Sequence, residues 1–268
     1  MGKKFDKKIA IISGASSGIG LAIGNYLANK NYLVYSLSRS KPDSSLIFHL
    51  ECDISNFEKV KQYLKQVYDK HKKIDLIINN SGYALVSSWE ELKIDEYEKL
   101  MKVNVESAFN ICESAINYLE KTKGKIINIG STVSEIFVPF EMQYCLSKQL
   151  LKVISFYFYN YCKQKNIEIC YLILGKIKTD FDKNKKININ HNSAYKIPMD
   201  NLLKKLNNNL KFGINKNKVA KYVYKLVEKK KIKSQKIMGL NNKILVFIFK
   251  LISWKFKSKF LYKYFCEK

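Results

Sequence analysis

The chain of 268 residues predicts an α/β doubly wound fold: a central parallel sheet of about seven strands, helices on both faces, and a C-terminal amphipathic helical extension. Three observations predict it. Short runs rich in Ile, Leu and Val alternate with stretches of helical periodicity from the start of the chain. Most of these runs are apolar at consecutive positions, the pattern of strands covered on both faces. With 3 prolines and 11 glycines, the chain has no Pro- or Gly-rich linker to divide it.

The candidate strands are residues 8–13, 32–38, 46–52, 74–79, 125–131 and 167–174. Helical periodicity fills 18–30, 56–70, 103–121 and 142–163. Strand, helix, strand repeated in this way gives a parallel sheet with right-handed crossovers. Beyond Leu174 the pattern loosens. Residues 181–201 are polar and read as a mobile loop, 216–231 as a helix, and 235–239 as a last strand. A single domain over 1–240 followed by a basic amphipathic segment, 241–268, is the expected division. Ligands of such sheets bind beyond the carboxyl ends of the strands, so the residues after each strand hold the chemistry.

The net charge of +25 is uneven. Residues 1–180 hold 25 basic and 19 acidic side chains, whereas 181–268 hold 23 and 4. Such an excess points to an anionic lipid surface or nucleic acid. Lysine-, asparagine-, isoleucine- and tyrosine-rich codon usage would produce the same excess. No nucleic-acid-binding motif accompanies it, so a nucleic-acid partner is not expected. The six cysteines (52, 112, 145, 162, 170 and 266) form no Cys-x-x-Cys, and the three histidines (49, 71 and 191) are scattered. A metal site is not expected, and the thiols read as reduced, in a cytoplasmic protein. Cys145, beside Tyr144, reads as an ordinary helix position rather than a reactive thiol. The apolar segment 9–12 is too short for a signal-peptide core, and Asp6 stands where myristoylation would need Ser or Thr.

The first strand runs into Ser13-Gly14-Ala15-Ser16-Ser17-Gly18-Ile19-Gly20, where a helix begins. Glycines allow a tight turn and close backbone approach. The helix start offers free N–H groups to a phosphate. The second strand ends at Ser38-Arg39, 19 residues after Gly20, where an acid would suit the ribose 2′-OH of NAD. An arginine there suits the 2′-phosphate of NADP instead. Arg39 is the single arginine among 48 basic residues, and its forked guanidinium matches phosphate better than lysine does. Tyr144 and Lys148 lie four apart and would share a helix face, with Ser131 13 residues earlier. An ammonium beside a phenol lowers its pKa from about 10, which would tune Tyr144 for proton transfer.

In order and approximate spacing, Gly14-x-x-x-Gly18-x-Gly20, Asp53, Asn79-Asn80-Ser81-Gly82, Asn104, Ser131 and Tyr144-x-x-x-Lys148 resemble the short-chain dehydrogenase/reductase family, which has a Rossmann fold. The resemblance covers roughly residues 6 to 240. It implies a site residue by residue. Asp53 would contact the adenine amino group, with Ile54 beside it. Asn79 would steady the sheet, while Asn80 and Gly82 would line the cofactor; Ser81 replaces an alanine. Asn104 would hold a water in a proton relay, and Ser131 would bind the substrate oxygen. Tyr144 would act as general acid or base, and Lys148 would lower its pKa and bind the nicotinamide ribose. After the sixth strand the family's Pro-Gly-x-Ile/Val-x-Thr reads Leu174-Gly175-Lys176-Ile177-Lys178-Thr179. Ile177 and Thr179 keep their places over the cofactor, but the fixed φ of proline is lost. Homo-oligomers are usual in the family.

Residues 241–268 mix aliphatic and aromatic side chains with lysines, and the longest run without charge is six residues, far short of the about 20 that a span needs. Lys243, Lys250 and Lys257 recur every seven residues and would share one face of an interfacial helix. A cover for the protein's own pocket, or a contact with a second copy, fits the same pattern. The expected activity is NADP(H)-dependent interconversion of a carbonyl and an alcohol, NADPH being preferred over NADH, on a small and lipophilic substrate. Two alternatives stay open: a membrane-surface protein that keeps the fold as scaffold, or an epimerase or dehydratase with tightly held cofactor.

Overall fold

The structure is a computed structural model and describes residues 7–182, 185–190 and 192–267. Met1–Asp6, Lys183, Asn184, His191 and Lys268, which the expectations above include, lie outside it. The strands are β1 (Lys8–Ser13), β2 (Tyr32–Ser38), β3 (Ile47–Glu51), β4 (Leu76–Asn79), β5 (Leu85–Ser87), β6 (Lys125–Ser131), β7 (Glu168–Leu174), β8 (Ile177–Lys178), β9 (Lys186–Asn188), β10 (Ile214–Asn215) and β11 (Gln235–Ile237). The helices are α1 (Gly18–Ala28), α2 (Phe57–His71), α3 (Ile94–Met101), α4 (Ser107–Thr122), α5 (Met142–Gln164), α6 (Lys196–Asn209), α7 (Lys216–Val227), α8 (Leu240–Leu251) and α9 (Trp254–Cys266).

The seven-stranded main sheet has the order β11-β7-β6-β4-β1-β2-β3, and every neighbouring pair is parallel. Chain direction across the sheet reverses between β1 and β4, the crevice where such sheets hold their ligands. Alternate residues of each strand feed two cores. Ala10, Ile12, Ile78 and Leu172 pack with Ile23 and Leu27 of α1 and Val219 and Val223 of α7. Ile9, Ile11, Ile77 and Ile169 pack with Leu64 of α2, Ile111 of α4 and Phe158 of α5.

Three expectations need correction. The helix predicted over 103–121 starts earlier and changes pitch: α3 runs through a π-helical turn, Lys102–Glu106, into α4. The polar stretch 181–201 contains strand β9, which pairs with β5 to form a small second sheet, and the start of α6. A strand of three residues is too short to show periodicity. Finally, Lys243, Lys250 and Lys257 do not share one helix. Ile252 and Ser253 adopt extended backbone and end α8, so Lys257 belongs to α9.

Candidate active site

The β1–α1 turn is held from β4. Ser13 Oγ accepts from the backbone N–H groups of Asn80 and Ser81, both at 3.1 Å. Asn80 Nδ2 donates to the carbonyls of Ser13 (3.2 Å) and Gly14 (3.1 Å). Gly14 and Gly18 lie at φ +70° and +57°, a region that side chains disfavour. At Gly20 an added Cβ would run into the Gly14 carbonyl and the Asn80 amide. Ser17 caps α1 in extended backbone with no side-chain hydrogen bond to the first turn. The leading N–H groups of α1 are therefore not capped by Ser17, beside half-buried Ser16 and Ile19.

The other predicted cofactor residues converge on the same edge. Ser38 is buried at the end of β2, its hydroxyl donating to the Ser40 carbonyl at 2.9 Å. Arg39 is exposed just beyond it and close enough to act electrostatically on Asp53 and Tyr83. Partial burial works to raise the Asp53 pKa, but the Ser55 N–H (2.9 Å), the Ser55 hydroxyl (2.7 Å) and the Arg39 charge outweigh it and hold the carboxyl below its usual value. Ile54 and Ile177 are buried. Thr179 lies over the turn, since a Cβ at Gly18 would meet its side chain at 3.9 Å. This cradle of backbone donors, with Arg39 at its rim, fits the pyrophosphate and ribose phosphate of a dinucleotide.

The proposed reacting groups lie past β4, β6 and the start of α5. Asn104 sits in the π turn, a distortion that often marks functional positions. It is gripped by Tyr83: Oδ1 accepts the Tyr83 N–H at 3.0 Å, and Nδ2 donates to the Tyr83 carbonyl at 2.9 Å and to Ser147 Oγ at 3.0 Å. A Cβ at Gly82 would fall 3.0 Å from Asn104 Oδ1 and 3.6 Å from Lys148 Nζ, so Gly82 faces both groups. Ser131 ends β6 and begins a 3₁₀ turn, its Oγ accepting the Val133 N–H at 3.3 Å. Lys148 Nζ donates to the Ile129 carbonyl at 3.1 Å and lies 6.0 Å from the centre of the Tyr144 ring.

The expected lowering of the Tyr144 pKa does not occur. Burial is the dominant influence and raises it well above the usual phenol value. The nearby Glu141 charge adds to the rise, and the neighbouring Ser131 side chain offsets only part of it. Burial also lowers the Lys148 ammonium from 10.5 to about 8. Both groups are removed from water, and desolvation disfavours the charged form of each. Cys145 is buried and its thiol is pushed up to about 12, as for an inert thiol.

Several neighbours escaped sequence reading. Ser147 joins Asn104 to α5, donating to the Tyr144 carbonyl at 2.8 Å. Its place in Tyr-Cys-Leu-Ser-Lys was the available signal. Tyr171 donates to the Lys148 carbonyl at 2.8 Å from β7. A buried ion pair, Lys185 to Glu141 at 2.6 Å, bridges the β9 side to the start of α5. Gln143 is fully buried with both side-chain polar atoms unpartnered. No spacing rule connects these residues, because the contacts cross elements. Among the described residues no cluster of His, Cys, Asp and Glu could hold a metal ion.

A glycine-rich turn at the start of α1 and a Ser, Tyr and Lys group beyond the same strand ends are the marks of one class, the nucleotide-dependent oxidoreductases. The short chain dehydrogenase family matches residues 8–190, and the chain belongs to it. VdlC of Helicobacter pylori, a probable short-chain type dehydrogenase/reductase, is 30% identical over 181 residues, covering 65% of this chain and 67% of its own length. The 3-ketodihydrosphingosine reductase of Bacteroides thetaiotaomicron is 29% identical over 183 residues, 67% and 68% of the two chains. Among solved structures, a short chain dehydrogenase of Burkholderia cenocepacia in complex with NADP superposes with a TM-score of 0.76 at 18% identity, covering 95% of this chain and 98% of that one. The protein is an NAD(P)-dependent oxidoreductase of the short-chain type, acting on a small molecule.

Proposed function

We propose that the protein is an NADP(H)-dependent reductase of a lipophilic ketone or aldehyde, with Tyr144 as the proton donor. The observation that carries this reading is the grouping of Ser131, Tyr144 and Lys148 beyond the end of β6, with Lys148 Nζ 6.0 Å from the centre of the Tyr144 ring. A phenol is protonated at neutral pH and can give its proton to a developing alkoxide. When bound, the nicotinamide supplies the hydride. Ser131 orients the substrate oxygen against the Tyr144 hydroxyl. Lys148, still charged below about pH 8, stabilises negative charge at that hydroxyl as the proton leaves. Asn104 fixes the π turn beside Lys148 and, through Ser147, the first turn of α5.

Arg39 supports a preference for NADPH over NADH, since no acid stands at the end of β2 to take a free ribose hydroxyl. The lipophilic substrate class is supported by the apolar C-terminal helices, whose Phe249 and Leu261 pack on Ile136 in the segment between Ser131 and Tyr144. In this reading the protein works as a homo-oligomer, and the C-terminal segment 241–268 contacts a membrane surface. Among the described residues no helix is long and apolar enough to cross a membrane.

The test is NADPH absorbance with a panel of acyl, steroid-like and sugar carbonyls. Turnover is expected with an apolar member. Tyr144→Phe should lower kcat by roughly 100-fold or more while NADPH still binds, as general acid catalysis is worth that much. Undiminished turnover in this variant sinks the mechanism.

A further inference from the structure

The C-terminal helices form a hairpin that uses only its inner side. Val246 and Phe249 are the buried hydrophobic residues of α8, and Leu261 and Cys266 those of α9. Phe249 and Leu261 pack together on Ile136, and Phe137 meets the Trp254 ring at 5.4 Å. Ile136 and Phe137 lie on the segment that leads from Ser131 to Tyr144. Asn201 and Lys205 of α6 donate to backbone carbonyls at the end of α9. The hairpin is thus seated on the walls of the candidate site.

Its outer side is apolar and bare. The bend carries Leu251, Trp254 and Phe256 at 72%, 67% and 70% exposure, and Phe247 and Phe260 extend the patch along both helices. An exposed apolar surface of this kind marks a contact site. Its charge says with what. Residues 240–267 hold six lysines and one glutamate. A second copy docking through a two-fold axis would set this face against itself, lysines against lysines. An anionic surface reverses the sign of that term.

We propose that the α8–α9 hairpin docks the protein on an anionic lipid surface, with the 251–256 bend placed among the lipids and the lysines at headgroup level. Aromatic rings at the boundary and lysine stems reaching outward are the expected arrangement of an interfacial helix pair. Docked this way, the segment joining Ser131 to Tyr144 faces the lipid side. The proposal extends the surface-contact reading of residues 241–268 and does not depend on the chemistry of Tyr144.

The experiment sediments the full-length protein with vesicles of phosphatidylcholine alone or of phosphatidylcholine with phosphatidylserine. Binding to the serine-containing vesicles only is expected, weakened about tenfold or more by Lys255→Glu, Lys257→Glu and Lys259→Glu together or by raised salt. The chain has 2 tryptophans, so in a Trp89→Phe background Trp254 is the only fluorophore of its kind. Its emission should move to shorter wavelength on the anionic vesicles. Equal binding to both vesicle types overturns the anionic proposal while keeping a surface contact; binding to neither overturns both. Dimers that Trp254→Ser and Phe256→Ser abolish, in a protein that ignores vesicles, would assign the face to a second copy and overturn the proposal. The lipid comparison on the unmodified chain decides the matter even where a variant fails to fold.

Discussion

Helices α1 and α8 have almost the same length and are both mostly apolar, yet they meet different fates. In α1, 11 residues long, Gly20, Ala22, Ile23, Gly24 and Leu27 are buried. In α8, 12 residues long, the buried residues are Val246 and Phe249. The difference does not lie in either helix. Helix α1 follows a central strand and returns to the sheet, where α7 covers its flank. Helix α8 follows an edge strand, β11, and packs Phe249 with Leu261 of α9 on Ile136 and Asn242 against Gly175. Apolar composition sets what burial is worth; topology sets whether a surface is available to bury against.

The comparison can be broken at four points. The largest effect is expected at the turn that starts α1. Gly20→Val forces a side chain into the Gly14 carbonyl and the Asn80 amide. It should cost about 1–3 kcal/mol in urea unfolding and, by distorting the turn, most NADPH binding. Arg39→Asp acts on the same edge without disturbing packing, since Arg39 is exposed. It should raise the Kd for NADPH by about 100-fold, the scale of a lost charged hydrogen bond made worse by repulsion, and leave NADH nearly unchanged. Equal effects on both cofactors would remove Arg39 from the phosphate site.

Lys148→Met tests a charge buried where function needs it. Removing an ammonium held by one carbonyl should stabilise the protein at pH 7 by about 1 kcal/mol while turnover falls. The sign follows from the lowered pKa. Between about pH 8 and the unperturbed 10.5 the unfolded chain holds a proton that the folded chain has released, so native stability rises with pH across that window. The advantage of methionine should be full below pH 8 and shrink as pH rises above it. A gap between the two proteins that stays constant from pH 7 to 10 would mean that Lys148 is not desolvated. The smallest effect is expected on the outer face of α8. Phe247→Ser, at a side chain 63% exposed, should change stability by no more than about 0.5 kcal/mol. A larger loss would show that this face is covered in solution.

Much of the fold was legible in advance. Strands β1, β2 and β6 begin and end where their apolar runs do, because a buried run is bounded by polar or glycine residues on both sides. The predicted β3, β4 and β7 overrun by a residue or two at ends where apolar side chains continue past the last ladder pair. The π turn at Asn104 was not legible, since its residues differ little in propensity from a regular helix. Strands β5, β8, β9 and β10, of two or three residues each, exist only through their partners. The site divides in the same way. The glycine turn, Ser38, Arg39 and the spacing of Ser131, Tyr144 and Lys148 stand out locally, whereas Asp53 and Asn80 came only with the family resemblance. Ser13, Tyr83, Ser147 and the Glu141–Lys185 pair do not stand out, because each acts across elements far apart in the chain.

By itself, then, the sequence determined the strands of the main sheet and the helices between them, the glycine-rich turn after β1 and the identity of the polar groups beyond the strand ends. These follow from period, propensity and short-range geometry, which are properties of neighbouring residues. Tertiary structure alone decided the desolvation of those groups and the exposure of the last two helices. The Tyr144 pKa is pushed up because residues from other elements exclude water from it, and the outer face of α8 is bare because no described element lies over it. Desolvation depends on everything packed around a group, and no local pattern encodes that.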